Sequence, residues 1–120
     1  MRTMIHKIHT GEELEGDYAI GGTSFKEVRY PGDRRNCNAC HVGTTYTLPL
    51  PSGLSPVTTP QGLWTPTLPA AASCISCHDG IDAGAHAFLN TATIAGKQYE
   101  SCSVCHKESA DFAVSVVHAR

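Results

Sequence analysis

The sequence predicts a mainly α-helical fold with much irregular coil and with little or no β-sheet. Candidate helices are short and lie near the two ends of the chain. Between them, residues 44–73 contain six of the seven prolines, which excludes a long helix and favours an ordered, extended loop. The chain of 120 residues has the length of one ordinary domain, spanning 1–120, and it can bury only a modest core by itself.

The first third of the chain is predicted to contain one short helix and one short strand. Residues 4–15 are expected to form helical turns that hold His6 and His9, three residues apart, on one face. The glycine pair 21–22 indicates a loop or a strand end. Alternation over residues 25–30 predicts a short strand, and a turn then leads into the first cysteine pair.

The last third is predicted to contain two helices, over residues 83–90 and 109–118. Ser109 is expected to cap the second helix, because a serine oxygen can accept a bond from a free backbone N–H of the first turn. Each helix carries one histidine. In the proline-rich segment, Trp64 argues for an ordered loop, and we expect it to lie near a cofactor.

The six cysteines fall into three pairs of one spacing, and a histidine directly follows each pair. On one helical turn, residues i and i+3 share a face, so two cysteines can form thioether links to one porphyrin edge. The next residue then points at the iron, and histidine supplies the ligand. The pattern therefore predicts three haem c groups. The motifs are Cys37-Asn38-Ala39-Cys40-His41, Cys74-Ile75-Ser76-Cys77-His78 and Cys102-Ser103-Val104-Cys105-His106.

Other uses of paired cysteines fit less well. A disulfide framework has no reason to place histidine after every pair. Zinc sites use paired cysteines, but six cysteines and three histidines divide awkwardly into tetrahedral sites. A thioredoxin-like redox site needs only one such pair in a strand–helix setting. Haem attachment is the interpretation that explains a histidine after every cysteine pair.

Four further histidines are candidates for the second axial ligands of the three irons: His6, His9, His86 and His118. His86 follows His78 by so few residues that a neighbouring haem is easier for it to reach than the same iron. The pairing is otherwise left open by the sequence. One histidine exceeds the need. Of His6 and His9, one is expected to serve a haem here, while the other either serves a haem outside this chain or carries no iron.

Three haems with histidine on both sides predict electron transfer in a respiratory chain and no enzyme activity, because no iron keeps an open position. The expected partners are redox proteins or other multihaem cytochromes, including further copies of this chain in a longer haem chain. Two alternatives stay open: a small multihaem reductase or reductase subunit with one open haem, and an excised module of a larger cytochrome.

Composition excludes two classes of partner. The formal net charge is −2 and the basic residues are scattered, so no nucleic-acid surface is indicated. No apolar run approaches the length of about 20 residues that crosses a bilayer. Arg34, Arg35 and Lys97 are candidate partners for haem propionates.

Haem c attachment in bacteria requires export, yet the first ten residues lack a signal peptide, so we expect a processed protein or a piece of a longer one. Periplasm or cell surface of a Gram-negative bacterium is the expected location.

Segments beyond the cysteine motifs resemble the OmcA/MtrC family of multihaem outer-membrane cytochromes. The matching segments are Met4-Ile5-His6-Lys7-Ile8-His9-x-Gly11-x-x-Leu14, Tyr30-Pro31-x-Asp33, Asn36-Cys37-x-x-Cys40-His41, Ala85-His86, Ser101-Cys102-x-Val104-Cys105-His106 and Val117-His118-Ala119. The resemblance implies distal histidine ligands at His86, His118 and the His6/His9 pair, and extracellular electron transfer. A domain of that family carries five haems, so this chain resembles its last three-fifths.

Overall fold

The computed structural model describes residues 2–118 as short helices and two β-hairpins joined by long irregular segments. The elements are α1 (Arg2–Thr10), β1 (Ala19–Ile20), β2 (Thr23–Ser24), α2 (Pro69–Cys74), α3 (Ile81–Leu89), β3 (Thr91–Ile94), β4 (Lys97–Glu100), α4 (Ser103–His106) and α5 (Val114–Val117). Two 3₁₀ turns, Gly11–Glu13 and Cys37–Ala39, complete the regular structure of these residues.

The predicted fold class is wrong. Over the described residues, helix accounts for only 32% and strand for 14%, so the chain is not dominated by helices. Two antiparallel two-stranded sheets are present, β1 with β2 and β3 with β4. Both close through two-residue turns with positive φ, at Gly21-Gly22 and at Ala95-Gly96. Such turns match the twist of paired strands and therefore favour hairpins. The strands themselves are too short to show a clear alternation in sequence.

The strand expected over residues 25–30 is also wrong. Phe25 to Val28 form a turn, in which the Val28 N–H donates to the Phe25 carbonyl at 3.0 Å. The turn lies against the end of α1, because the Glu12 N–H donates to the Val28 carbonyl at 3.1 Å. The Phe25 N–H donates to the Tyr18 carbonyl at 2.9 Å, so the backbone groups of this segment bond to the 3₁₀ turn after α1, to Tyr18 and within the turn itself, and the segment is not a strand.

The helix predicted over 109–118 is much shorter in the structure. Ser109 has a φ of 72°, which is the left-handed region, whereas a capping residue needs an extended backbone. Helix α5 begins instead after Ala113, which is fully buried. The helix predicted over 83–90 is present as α3. Helix α2 begins at Pro69, a residue type that suits the first helical position.

The aliphatic core is small and rich in alanine. Ala71, Ile75 and Ala87 form its centre, and Trp64 of the proline-rich loop packs against them. Trp64 also meets Phe88 edge to face, with 5.4 Å between ring centroids. Helices α2 and α3 meet in this core, where Ile75 of the second cysteine motif lies in one cluster with Ala87, the residue after His86. In the described part of the chain, no helix is long and apolar enough to span a membrane.

Candidate functional site

The three cysteine motifs adopt the same backbone turn. In each, the histidine N–H donates to the carbonyl of the first cysteine, at 2.9 Å for His41, 3.0 Å for His78 and 3.0 Å for His106. The second cysteine N–H approaches the same carbonyl, at 3.2, 3.2 and 3.3 Å in chain order. The first motif lies in the 3₁₀ turn Cys37–Ala39, the second lies at the end of α2, and the third lies in α4. None of the six cysteines forms a disulfide, so all six are available for attachment.

Each motif histidine lies beside one histidine from outside the motifs. The ring centroids of His6 and His41 are 6.0 Å apart with an angle of 23° between the rings. His78 and His118 are 6.0 Å apart at 53°. The third pair is the most nearly perpendicular, with His86 and His106 6.1 Å apart at 88°. A metal ion bound by one nitrogen of each ring, with bonds of about 2 Å, would hold the two ring centroids about 6 Å apart.

The elements that carry these histidines are held by contacts outside the pairs. Arg34, just before the first motif, donates to the Thr10 carbonyl at 2.9 Å and forms an ion pair with Glu13. These bonds tie the end of α1 to the segment leading to Cys37. The Thr10 hydroxyl in turn lies 3.2 Å from the Cys77 sulfur. The first two motifs are therefore anchored to one helix.

Three of the paired histidines have a hydrogen-bond partner at Nδ1. His106 meets the Phe112 carbonyl at 2.9 Å, and His118 meets the Val114 carbonyl at 3.0 Å. His41 lies 3.3 Å from the Thr45 hydroxyl. A metal-ligating histidine typically donates its second N–H in this way, which fixes the tautomer and leaves the other nitrogen free for the metal.

His6 has a different environment. Its Nδ1 is buried and lacks a hydrogen-bond partner among the described residues. Burial lowers the pKa of His6, and His41 and His9 add smaller contributions in the same direction. A lower pKa favours the neutral imidazole, which is the form that can donate a lone pair to a metal. His6 is thus suited to ligation.

The thiols of successive motifs interact with one another. Burial raises the pKa of the Cys37 thiol, and Cys77 adds a smaller rise. Burial also raises the pKa of Cys74 to about 11, with Cys102 as the next cause. A cavity of about 290 Å³ lies between the first motif and α5, and its lining includes Cys37, Tyr46 and His118. The second motif therefore neighbours both the first and the third.

Large apolar side chains are exposed next to the histidine pairs. Val42 is 85% exposed directly after His41, and Leu89 is 81% exposed on the helix of His86. A folded protein exposes single apolar side chains routinely, but a large set of them around one site marks a surface that binds another group. Their position fits a porphyrin that lies against them. The other members of this set are Ile81, Phe88, Val104, Phe112, Val116 and Val117.

A zinc site would need at least three or four converging ligands. Among residues 2–118, no group of three or more histidine, cysteine or acidic side chains is placed to hold a metal ion. The histidines instead meet in twos, beside cysteine pairs that share one turn. This donor set fits haem c, with the sulfurs for covalent attachment and the histidines for the iron.

A comparison with protein families supports the same conclusion. The family model described as outer membrane cytochrome MtrC/MtrF-like, domains II/IV, matches residues 1–119. The chain belongs to this family. The resemblance to OmcA/MtrC cytochromes is therefore confirmed. Neither the curated proteins nor the solved structures gave a match.

Membership in the MtrC/MtrF-like family gives the coarse function. The chain is an MtrC/MtrF-like domain of the multihaem outer-membrane cytochrome type, with haem as the cofactor and electron transfer as the role. An outer-membrane family agrees with the predicted export. The number of haems and the ligands of each iron are finer questions.

Some of the predicted site residues have other partners in the structure, and one residue beside a motif histidine was not predicted from the sequence. His9 does not join a motif histidine; its ring faces Tyr30 at 5.4 Å. Arg35, a propionate candidate, is bound to Asp33 at 2.9 Å, although it also lines the cavity beside Cys37. Tyr46, which meets His41 edge to face at 5.9 Å, carried no sequence signal.

Proposed function

We propose that this chain is an electron-transfer module that holds three haem c groups, each ligated by two histidines. The observation that carries the proposal is the set of three histidine pairs, each joining one motif histidine to one other histidine at 6.0–6.1 Å. The proposed ligand pairs are His6 with His41, His118 with His78, and His86 with His106. The six motif cysteines attach the porphyrins.

The protein's own residues would bind and orient the cofactors. The thioether links fix each porphyrin to one turn of backbone. The carbonyls of Phe112 and Val114 orient His106 and His118 through Nδ1, which makes these imidazoles stronger ligands. The exposed apolar side chains beside the pairs would exclude water from the porphyrin faces and so help to set the reduction potentials.

Full ligation makes the chain a relay and not an enzyme. A substrate can be activated at a haem only where one axial position is open. The proposed pairs leave no motif histidine without a partner, so the reductase alternative has no site in this assignment. The supported role is to pass single electrons between redox partners, which are other multihaem cytochromes or further copies of this chain.

The second haem is proposed to be the middle of the relay. Cys77 of its motif adds to the raised pKa of Cys37 in the first motif, and Cys102 of the third motif adds to the raised pKa of Cys74. His118, proposed for the second haem, also lines the cavity beside Cys37. Electrons would therefore enter or leave at the first and third haems.

His9 is the extra histidine in this assignment. Its ring contacts Tyr30 and no motif histidine. Two predictions stay open: His9 ligates a haem outside this chain, or it carries no iron. In either case its removal is expected to leave the three haems of this chain unchanged.

Spectroscopy of histidine variants tests the proposal. The haem-loaded wild type should show three haems per chain by mass, all low-spin by electron paramagnetic resonance. His6→Ala, His86→Ala and His118→Ala should each convert one haem in three to a high-spin form that binds carbon monoxide when reduced. His9→Ala is the matched control and should keep all three low-spin. A high-spin haem in the wild type, or loss of a low-spin haem in His9→Ala, would contradict the assignment.

A further inference from the structure

Glu100 ends β4, two residues before the third motif, and its carboxylate reaches across to the start of α2. One oxygen accepts the Ala71 N–H at 2.6 Å, and the other accepts the Ala70 N–H at 3.0 Å. Helix α2 runs from these residues to Cys74 of the second motif. The carboxylate is therefore held between the segments that carry Cys74 and Cys102.

The position of this charge is fixed by its surroundings. Glu100 pairs with Thr91 in the hairpin of β3 and β4, and the next residue, Ser101, donates its N–H to the Asn90 carbonyl at 3.0 Å. Both carboxylate oxygens are engaged, and the residue is only partly exposed. A charge held in this way is screened less by water and salt than a mobile surface carboxylate.

The field of the carboxylate reaches both neighbouring motifs. Burial raises the pKa of the Cys102 thiol, and Glu100 is the next cause. At Cys74, burial is again the largest cause of the raised pKa, followed by Cys102 and then Glu100. Both carboxylate oxygens are bound at α2, and Glu100 ends β4, whereas the first motif lies on neither element. A carboxylate that disfavours a thiolate at Cys74 and Cys102 also disfavours the addition of an electron to a haem bound at these cysteines.

We propose that Glu100 is an electrostatic tuning residue, which lowers the reduction potentials of the haems on the second and third motifs and leaves the first haem unaffected. The proposal rests on the proposed function, because it requires haems at both motifs. Reduction adds one electron to an oxidised haem, and a fixed carboxylate nearby makes that addition less favourable. The charge therefore lowers the reduction potentials of the second and third haems relative to that of the first.

Three variants of the haem-loaded protein test the role of Glu100. Glu100→Gln removes the charge and keeps one oxygen as acceptor. Glu100→Asp keeps the charge and shortens the reach to α2. Glu27→Gln, at an exposed position, makes the same change in net charge elsewhere. The measurement is a redox titration with dithionite, followed by paramagnetic NMR so that each haem has its own signal and midpoint.

In Glu100→Gln, two of the three midpoints should rise. The equilibrium constant for reduction of each should increase at least threefold, which is about 28 mV at 59 mV per tenfold for one electron. Glu100→Asp should move these midpoints by less than half as much, and Glu27→Gln should move none. Unchanged midpoints in Glu100→Gln, an equal rise in all three, or an equal rise in Glu100→Asp would overturn the proposal. Low-spin signals from all three haems in the wild type keep the proposed function separate from this result.

Discussion

Replacing Gly11 with alanine is expected to destabilise the chain more than the same change at Gly21. Both glycines have positive φ, 47° and 57°, which costs alanine about 1–2 kcal/mol at either site. They differ in their surroundings. An added Cβ at Gly21 meets nothing within 4 Å. At Gly11 it would overlap the Val28 carbonyl oxygen and lie 2.9 Å from the Val28 carbonyl carbon.

The overlap at Gly11 sets the size of the expected difference. The turn that contains Val28 must move away from α1, which costs about 1–3 kcal/mol for overpacking. The Glu12 N–H then loses its bond to the Val28 carbonyl, at about 1 kcal/mol. We therefore expect Gly11→Ala to lower the free energy of unfolding by about 2–4 kcal/mol more than Gly21→Ala.

Urea denaturation of the haem-loaded protein, followed by far-ultraviolet circular dichroism, measures this difference. The midpoint should fall for both variants, and further for Gly11→Ala, with little change in the slope of the transition. Equal midpoints for the two variants would refute the packing of α1 against the turn. Because α1 carries His6, we also expect Gly11→Ala to weaken the low-spin signal of one haem only.

Two further predictions concern the neighbourhoods of the motifs. Ser76 is fully buried and donates to the Ser73 carbonyl at 2.6 Å, whereas Ser52 is exposed. Ser76→Val should therefore cost about 1–3 kcal/mol in urea denaturation, while the same change at Ser52 should cost less than about 0.5 kcal/mol; equal costs would contradict the burial of the second motif. Arg34→Ala removes the bond to the Thr10 carbonyl and the ion pair with Glu13, and should cost about 1 kcal/mol and perturb one haem spectrum, with Arg29→Ala as a control at an exposed ion pair. Identical spectra for the two arginine variants would show that Arg34 does not position α1.

The backbone turn of the cysteine motifs follows from the sequence more directly than the fold does. The repeated motif fixes local geometry, because a histidine after the second cysteine closes the same turn wherever it occurs. The histidine of α3 was found on a helix because its segment has a strong apolar pattern. The strands were missed since each has only two or four residues. The glycine pair at 21–22 was a hairpin signal, but it was interpreted only as a loop or strand end.

The proximity of the histidine pairs could not be derived from sequence, because the partners come from distant parts of the chain. His6 meets His41 only after the segment with Arg34 folds back to α1. His118 meets His78 because α5 starts late, after Ala113, and not at Ser109. A tertiary contact decides each case, and neither residue spacing nor helical propensity contains it.

A crystal structure of the haem-loaded protein tests the central claim most directly. It should show three irons, one between His6 and His41, one between His78 and His118, and one between His86 and His106. Each porphyrin should be bound through the two cysteines of one motif. An iron with His9 in place of His6, an exchange of distal histidines between motifs, or an axial position filled by water would contradict the account.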